Sequence, residues 1–263
     1  MIPAKRSPWR IALSVWQALF LREAVGRITA DRIAWLWILA EPIAHVLLMV
    51  WVRSLLGRIR IIPGAEFIPW LVVGITTFIM FRNLMNRGME AVTANRALFA
   101  YRQVMPVDTV IARCGLEGAL SFSVLLLLVS VFTLIGFHLL PHNPLAALHV
   151  LSVMFMFGLG IALVFSVVVT SLPESAKFIR MVSFPLYILS GVIFPVQYFP
   201  HDLVQYLLYN PLLHGVELMR LEFFETYRSV HGISLLYLYY WAAGSLFLGL
   251  AMHIRFRLRL LSQ

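Results

Sequence analysis

Residues 81–113 read FRNLMNRGMEAVTANRALFAYRQVMPVDTVIAR, a polar segment carrying Arg82, Arg87, Arg96, Arg102 and Arg113 between long apolar runs. The flanking runs are apolar enough to sit in lipid, so the segment reads as a loop between two spans. Its arginines assign that loop to the cytosolic face. It is long enough to hold a helix of its own. Phe99 and Tyr101 stand among the charges, in the stretch Asn95 to Tyr101, and an apolar, aromatic patch on a water-exposed segment marks contact with another protein. The loop therefore reads as the surface by which a soluble partner grips and moves a membrane subunit. A helix folded back on the membrane surface is the alternative.

Hydrophobic residues are 61% of the 263 and charged residues 13%, far from the roughly 45–50% and about 25% of soluble domains. One polytopic domain follows, with room for spans of ~20 residues each. The net charge of +9 lies on basic residues scattered between apolar runs. That distribution fits cytosolic loops on an anionic membrane face better than a nucleic-acid surface. A single cysteine, Cys114, excludes an internal disulfide and a zinc cluster. Neither Lys5 nor Lys177 follows a glycine, so the chain has no phosphate-binding P-loop and any energy input comes from elsewhere.

In chain order, Arg10 and Arg22 bracket the apolar run Ile11–Leu21, which is too short to span and has no small-residue cleavage site behind it, so no cleavable signal is expected. With Trp9, Leu13, Trp16 and Phe20 at helical spacing, it reads as an amphipathic helix in the cytosolic interface, within a cytosolic N-terminus of residues 1–32. The expected fold is all-α, with six spans in residues 33–254 and a cytosolic tail at 255–263. The spans lie at about Ile33–Leu56, Phe67–Leu84, Thr109–Phe137, Leu145–Thr170, Phe178–Val196 and Ile233–Ile254, and the loop of interest is 85–108. Tyr198 to Tyr227 is apolar in bulk yet broken by Pro200, Asn210-Pro211, His214, Glu217, Arg220, Glu222 and Glu225. As one span it would bury several charges at ~2.5–3.5 kcal/mol each. Two half-helices dipping in from one face avoid that cost, since broken backbone is tolerated where protein surrounds it.

With both termini inside, sixteen of the 21 basic residues fall on the inner side, and Arg53, Arg58, Arg60, Arg220 and Arg228 fall outside. The three arginines of the first outer loop resist the rule and read as a functional exception. Catalytic groupings are thin. Glu41 and His45 stand one turn apart, a hydrogen-bonded or cavity-lining pair rather than a metal site, because no third ligand is placed. Pro141 interrupts the helix that His138 and His142 would need. Glu117, one turn beyond Arg113, reads as its intrahelical ion-pair partner. At the outer end of the fifth span, Phe194, Tyr198 and Phe199 form an interfacial belt, stack on sugar rings or close a channel mouth.

The order of EPIAH (Glu41–His45), the run 81–113, SGVIFP (190–195) and NPLLHGVELMR (Asn210–Arg220) resembles the membrane subunit of the capsular polysaccharide exporters of Gram-negative bacteria, within the ABC-2 transporter class. The resemblance implies a homodimer of six-span subunits in the inner membrane, each bound by a cytosolic ATPase that carries ATP and Mg. It implies a coupling helix over Glu90 to Tyr101, with Glu90, Asn95, Arg96, Phe99 and Tyr101 facing the ATPase. Re-entrant gate helices are implied at 198–227, with Phe194, Tyr198, Phe199 and Asn210 at the gate. The implied cargo is a lipid-anchored, often acidic polysaccharide, handed to a periplasmic adaptor and an outer-membrane channel. On this reading Arg53, Arg58 and Arg60 hold the polymer or the adaptor at the outer mouth. Arg27 and Arg32, with Glu41 and His45, stand at the cytosolic entrance for the phosphate of the anchor, and positive-inside anchoring is the plainer account of the two arginines. Exporters of O-antigen or teichoic acid are the nearest rivals. An integral-membrane enzyme acting on a lipid-linked sugar would need acids or histidines converging near one membrane face, and a membrane scaffold would need neither a gate nor the bend that Pro42 puts in the first span.

Overall fold

The computed structural model describes residues 8–30, 34–55 and 62–262, and these are helical with no strand among them. The helices are α1 (Pro8–Ala30), α2 (Ala34–Leu55), α3 (Phe67–Gly88), the single turn α4 (Ala91–Ala94), α5 (Pro106–Ile135), α6 (Pro144–Ser171), α7 (Ser175–Leu189), α8 (His201–Leu207), α9 (Pro211–Phe223), α10 (Leu235–Arg255) and α11 (Arg257–Ser262). Among them α3, α5, α6 and α10 are long and apolar enough to cross a membrane, and α2 holds a shorter apolar stretch, Ala40–Val52. Helix starts follow local chemistry. The Asn143 and Asn210 side chains accept from the backbone N–H of Ala146 and Leu212, and Pro144 and Pro211 occupy the first turn, where no N–H is needed.

The bundle is built on α3, α6 and α10, which run in the same direction. Leu84 of α3 meets Gly158 of α6 and Gly88 meets Ala162, while Gly160 of α6 meets Ser245 of α10 and Leu163 meets Gly249. Phe81 stacks on Phe157 with ring centroids 5.1 Å apart. Lipid supplies no hydrophobic drive between helices, so small residues that let backbones approach set this contact. On α10 they are spaced as Ser245-x-x-x-Gly249. α5 runs antiparallel, its Cys114 packed on Leu84 and Gly88.

The lengths differ from expectation at two helices. α1 continues past Leu21 to Ala30, because its inner face is held by polar partners described below, while Trp9, Leu13, Leu21 and Val25 form an exposed apolar stripe suited to an interfacial position. α7 ends at Leu189 instead of reaching Val196. Gly191 takes a left-handed φ of +68° there, which stops the helix before the short 3-10 turn Val196–Tyr198.

The segment after α7 is broken as expected. α8 and α9 meet at Asn210-Pro211, and both residues line a cavity of about 390 Å³ with Phe81, Phe157, Ile161 and Ile179. Phe157 lies thirteen residues beyond Pro144, so the break sits ~20 Å along α6. At the other end of α9, the backbone N–H groups of His142 and Asn143 donate to Phe223 and Glu222 at 3.2 and 2.9 Å. α9 thus penetrates the bundle alongside the first half of α6.

Candidate functional site

Two polar assemblies stand out in this apolar protein. The first joins α1 to the loop 89–105 and to α5. Trp16 Nε1 donates to Asp108 at 2.8 Å, Arg113 donates to Glu23 at 2.6 Å, and Arg27 pairs with Glu117, which Arg87 also approaches at 3.9 Å. Asn95, only 4% exposed, sits at their centre. Its amide NH2 donates to Glu23 at 3.0 Å and to the Ala91 carbonyl at 2.9 Å, and its oxygen accepts from Arg22 at 3.0 Å. The pairing of Arg113 with Glu117 expected within one helix is therefore replaced: each reaches across to α1, since partners on a packed neighbour compete with those one turn away.

Burial alone would raise the Glu23 carboxyl, but hydrogen bonds from Arg113 and Asn95 and the charges of Arg113 and Arg22 carry it below the ordinary carboxylate range. Burial, with Arg87 and Arg113 nearby, brings Arg27 down to about 10 against the opposing pull of Glu23, still cationic at neutral pH. A depressed carboxylate adds stability above its unfolded value and loses it as pH falls through the folded one. The α1 clamp is expected to hold at neutral pH and to loosen only below about pH 4.5. Amide exchange of α1 measured down a pH series checks this, after correction for the intrinsic pH dependence of exchange.

Of the residues expected at the coupling surface, Arg96 and Tyr101 are exposed and Phe99 is half-buried against the core. Glu90 is half-buried and pairs with Arg180 of α7. Asn95 faces inward. The segment is a single α-turn followed by a 3-10 helix, Arg96–Ala100, in place of one longer helix. Beside it a cavity of about 390 Å³ opens between Leu19 and Arg22 of α1 and Leu98 and Tyr101 of the loop.

Of the residues expected at the cytosolic entrance, Glu41 turns to Arg82 of α3 and His45 meets the Tyr187 ring of α7 at 5.3 Å, so the pair splits between two neighbours. Arg27 is engaged by Glu117. Arg32, Arg58, Arg60 and the side chain of Arg53 lie outside the described residues. Phe194 and Tyr198 are exposed and Phe199 is half-buried. Asn210 donates to Ser190 Oγ at 3.0 Å, tying the break between α8 and α9 to the end of α7.

The second assembly was not expected. Arg220, counted above on the outer side, is fully buried at 0% exposure, with Glu217 at 1%. Its guanidinium donates to Glu217 at 2.7 Å, to the carbonyls of Gly191 and Val192 at 2.8 and 3.0 Å and to that of Trp70 at 3.4 Å. It also lies over the Trp70 ring, 3.4 Å from the centroid. Glu217 accepts in addition from Tyr227 at 2.9 Å and Ser229 at 2.5 Å. A Cβ on Gly74 would stand 2.2 Å from Arg220 Nη2, so glycine leaves the room that the guanidinium fills. Three parts of the chain meet here: α3, the turn after α7, and α9. The available signal was Glu217 and Arg220 at i,i+3 inside an apolar run, a spacing that permits mutual neutralisation.

The ABC-2 type transporter family matches residues 14–224, which takes in the first assembly and the Glu217–Arg220 pair of the second. The chain belongs to the ABC-2 type transporter family. Within it, this ABC-2 chain is 36% identical over 248 residues to the polysialic acid transport protein KpsM of Escherichia coli, covering 94% of this chain and 95% of that one. It is 30% identical over 207 residues to the capsule polysaccharide export inner-membrane protein CtrC of Neisseria meningitidis serogroup A, covering 79% and 78%. To the capsule polysaccharide export inner-membrane protein BexB of Haemophilus influenzae it is 28% identical over 220 residues, covering 82% and 83%. The resemblance read from the sequence thus holds, and the ABC-2 chain is a multi-pass membrane protein of the transport class.

Proposed function

We propose that this chain is the membrane subunit of an ATP-driven exporter that moves a lipid-anchored capsular polysaccharide across the inner membrane. ATP and Mg are bound by a cytosolic partner. α2, α3, α5, α6, α7 and α10 cross the membrane with both termini in the cytosol, α1 lies in the cytosolic interface, and α8 and α9 re-enter from the periplasm. The bundle interior is filled by Trp70, Phe78, Leu84, Met154 and Leu163, so a hydrated polymer passes beside the bundle, in a corridor between two copies. The outward apolar faces of α2 and α7, with Trp51, Phe178, Met181 and Phe184 exposed, are suited to border it. A periplasmic adaptor and an outer-membrane channel receive the chain beyond.

The observation that carries this reading is the division of labour at residues 95–101. Asn95 is locked to α1, while Arg96 and Tyr101 next to it face outward. A stroke received on the exposed side reaches α1 and α5 through the buried side, and rigid elements moving as bodies open the corridor. The double variant Arg96→Ala, Tyr101→Ala is expected to weaken ATPase binding at least tenfold in co-purification and to lower export in proportion. Asn95→Ala keeps the docking face, so it is expected to retain ATPase binding while losing most of the export per ATP hydrolysed. Wild-type binding and export in the double variant would overturn the assignment of this surface.

A further inference from the structure

A cleft of about 570 Å³ opens between the end of α8 and the start of α10, within the range of small-molecule sites. Tyr209 and Tyr240 wall it at 74% and 67% exposure, and Tyr237 and Gln205 add an aromatic face and an amide. Its base is fixed by His214. One ring nitrogen binds the Leu208 carbonyl at 2.8 Å and the other accepts from the Ser234 N–H at 2.9 Å, joining α8, α9 and α10. The Tyr237 hydroxyl donates to the Tyr209 carbonyl at 2.9 Å, and the His214 and Tyr237 rings sit 4.7 Å apart. Gly232, at φ +104°, lets the backbone turn against Leu208. Among the described residues, no Asp, Glu, Lys or Arg lines the cleft.

We propose that this cleft is a binding site for sugar rings of the exported polymer, held by the faces of Tyr209 and Tyr240 and by hydrogen bonds rather than by charge. The assignment of the ligand rests on the export reading above. A pyranose presents C–H groups on its faces and hydroxyls at its rim, and tyrosine matches both, with a rigid apolar ring and a polar tip at low entropic cost. Tyrosines of an interfacial belt point separately into lipid headgroups. Here they converge on one concavity whose base is already hydrogen-bonded. Uncharged walls set the selectivity: the cleft reads the ring and is indifferent to the carboxylates of an acidic polymer.

The test uses the full chain in nanodiscs, where both faces are open, so it reads the cleft independently of orientation and transport. Titration is followed by calorimetry with a neutral hexasaccharide of glucose and an acidic hexasaccharide of sialic acid, each at low and high salt. Saturable binding of both is expected, with less than a threefold change in Kd between salts. Tyr209→Ala and Tyr240→Ala are each expected to weaken it at least tenfold, while Tyr206→Ala, equally exposed at 73% but outside the cleft, leaves it unchanged. Absence of saturable binding, binding lost at high salt, insensitivity to both cleft variants, or an equal loss in Tyr206→Ala would each overturn the proposal. If binding follows the cleft but wild-type and variant chains export nothing in cells, the export reading fails while the site stands.

Discussion

Arg220→Ala is expected to destabilise the chain by about 3–5 kcal/mol, the range for removing one partner of a buried ion pair. The loss has several sources. Glu217 keeps Tyr227 and Ser229 as donors but loses its counter-charge. The carbonyls of Gly191 and Val192 lose their guanidinium donors, and Trp70 loses the cation over its ring. Arg220→Lys is expected to recover less than half of the loss, because one ammonium cannot reproduce a planar fork whose nitrogens reach four separate acceptors. Unfolding in mixed micelles by titration with a denaturing detergent, followed by tryptophan fluorescence, measures both. A lysine variant as stable as the wild type would show that charge at this position suffices and that the fork geometry is irrelevant. Because the guanidinium joins α3, the turn after α7, and α9, export in Arg220→Ala is expected to fall further than its residual folded fraction.

Gly160→Leu is the second large effect. A Cβ at Gly160 would stand 2.2 Å from Ser245 Oγ and 2.6 Å from the backbone nitrogen of Leu246. Side chains can rotate away, but the backbone of α10 has to retreat. Overpacking of this kind costs about 1–3 kcal/mol and more where backbone moves. α10 is then expected to separate from α6, read as loss of a cross-link by a short bis-maleimide between cysteines placed at positions 149 and 239, whose native side chains touch. Gly244→Leu lies on the same helix with open space at its Cβ and is expected to be neutral within about 0.5 kcal/mol, as is usual for unconstrained surface positions. An equal effect at the two glycines would remove the close-approach argument.

Hydropathy made the long helices legible, and Asn-Pro pairs made the starts of α6 and α9 legible, because both signals act within a few residues. The break at Asn210-Pro211 was readable for the same reason: a proline and too many charges sit in one apolar run. Pairings across the fold were not. Glu117 has an arginine one turn away on its own helix, yet its partner Arg27 comes from 90 residues upstream. Local spacing cannot rank the two. Arg220 was misplaced because its charge argued for water, whereas its acceptors include carbonyls 28, 29 and 150 residues back, and the Trp70 indole lies under the cation. Only the tertiary fold assembles a polar shell inside an apolar bundle. The segment from Asn95 to Tyr101 was legible as a loop with an exposed aromatic residue, but the inward turn of Asn95 depends on α1, whose extra length the hydropathy pattern did not mark.

The ladder between α1 and α5 also governs when the chain can assemble. Trp16, Glu23 and Arg27 find their partners 92, 90 and 90 residues later, so at roughly 5–20 residues per second of synthesis they wait about 5–20 s. Until then the side chains of Trp16 and Arg27 lack those partners, and Glu23 has only Asn95. α1 can lock fully only after α5 has been made, so an early helix of this chain waits for one synthesised about 90 residues later.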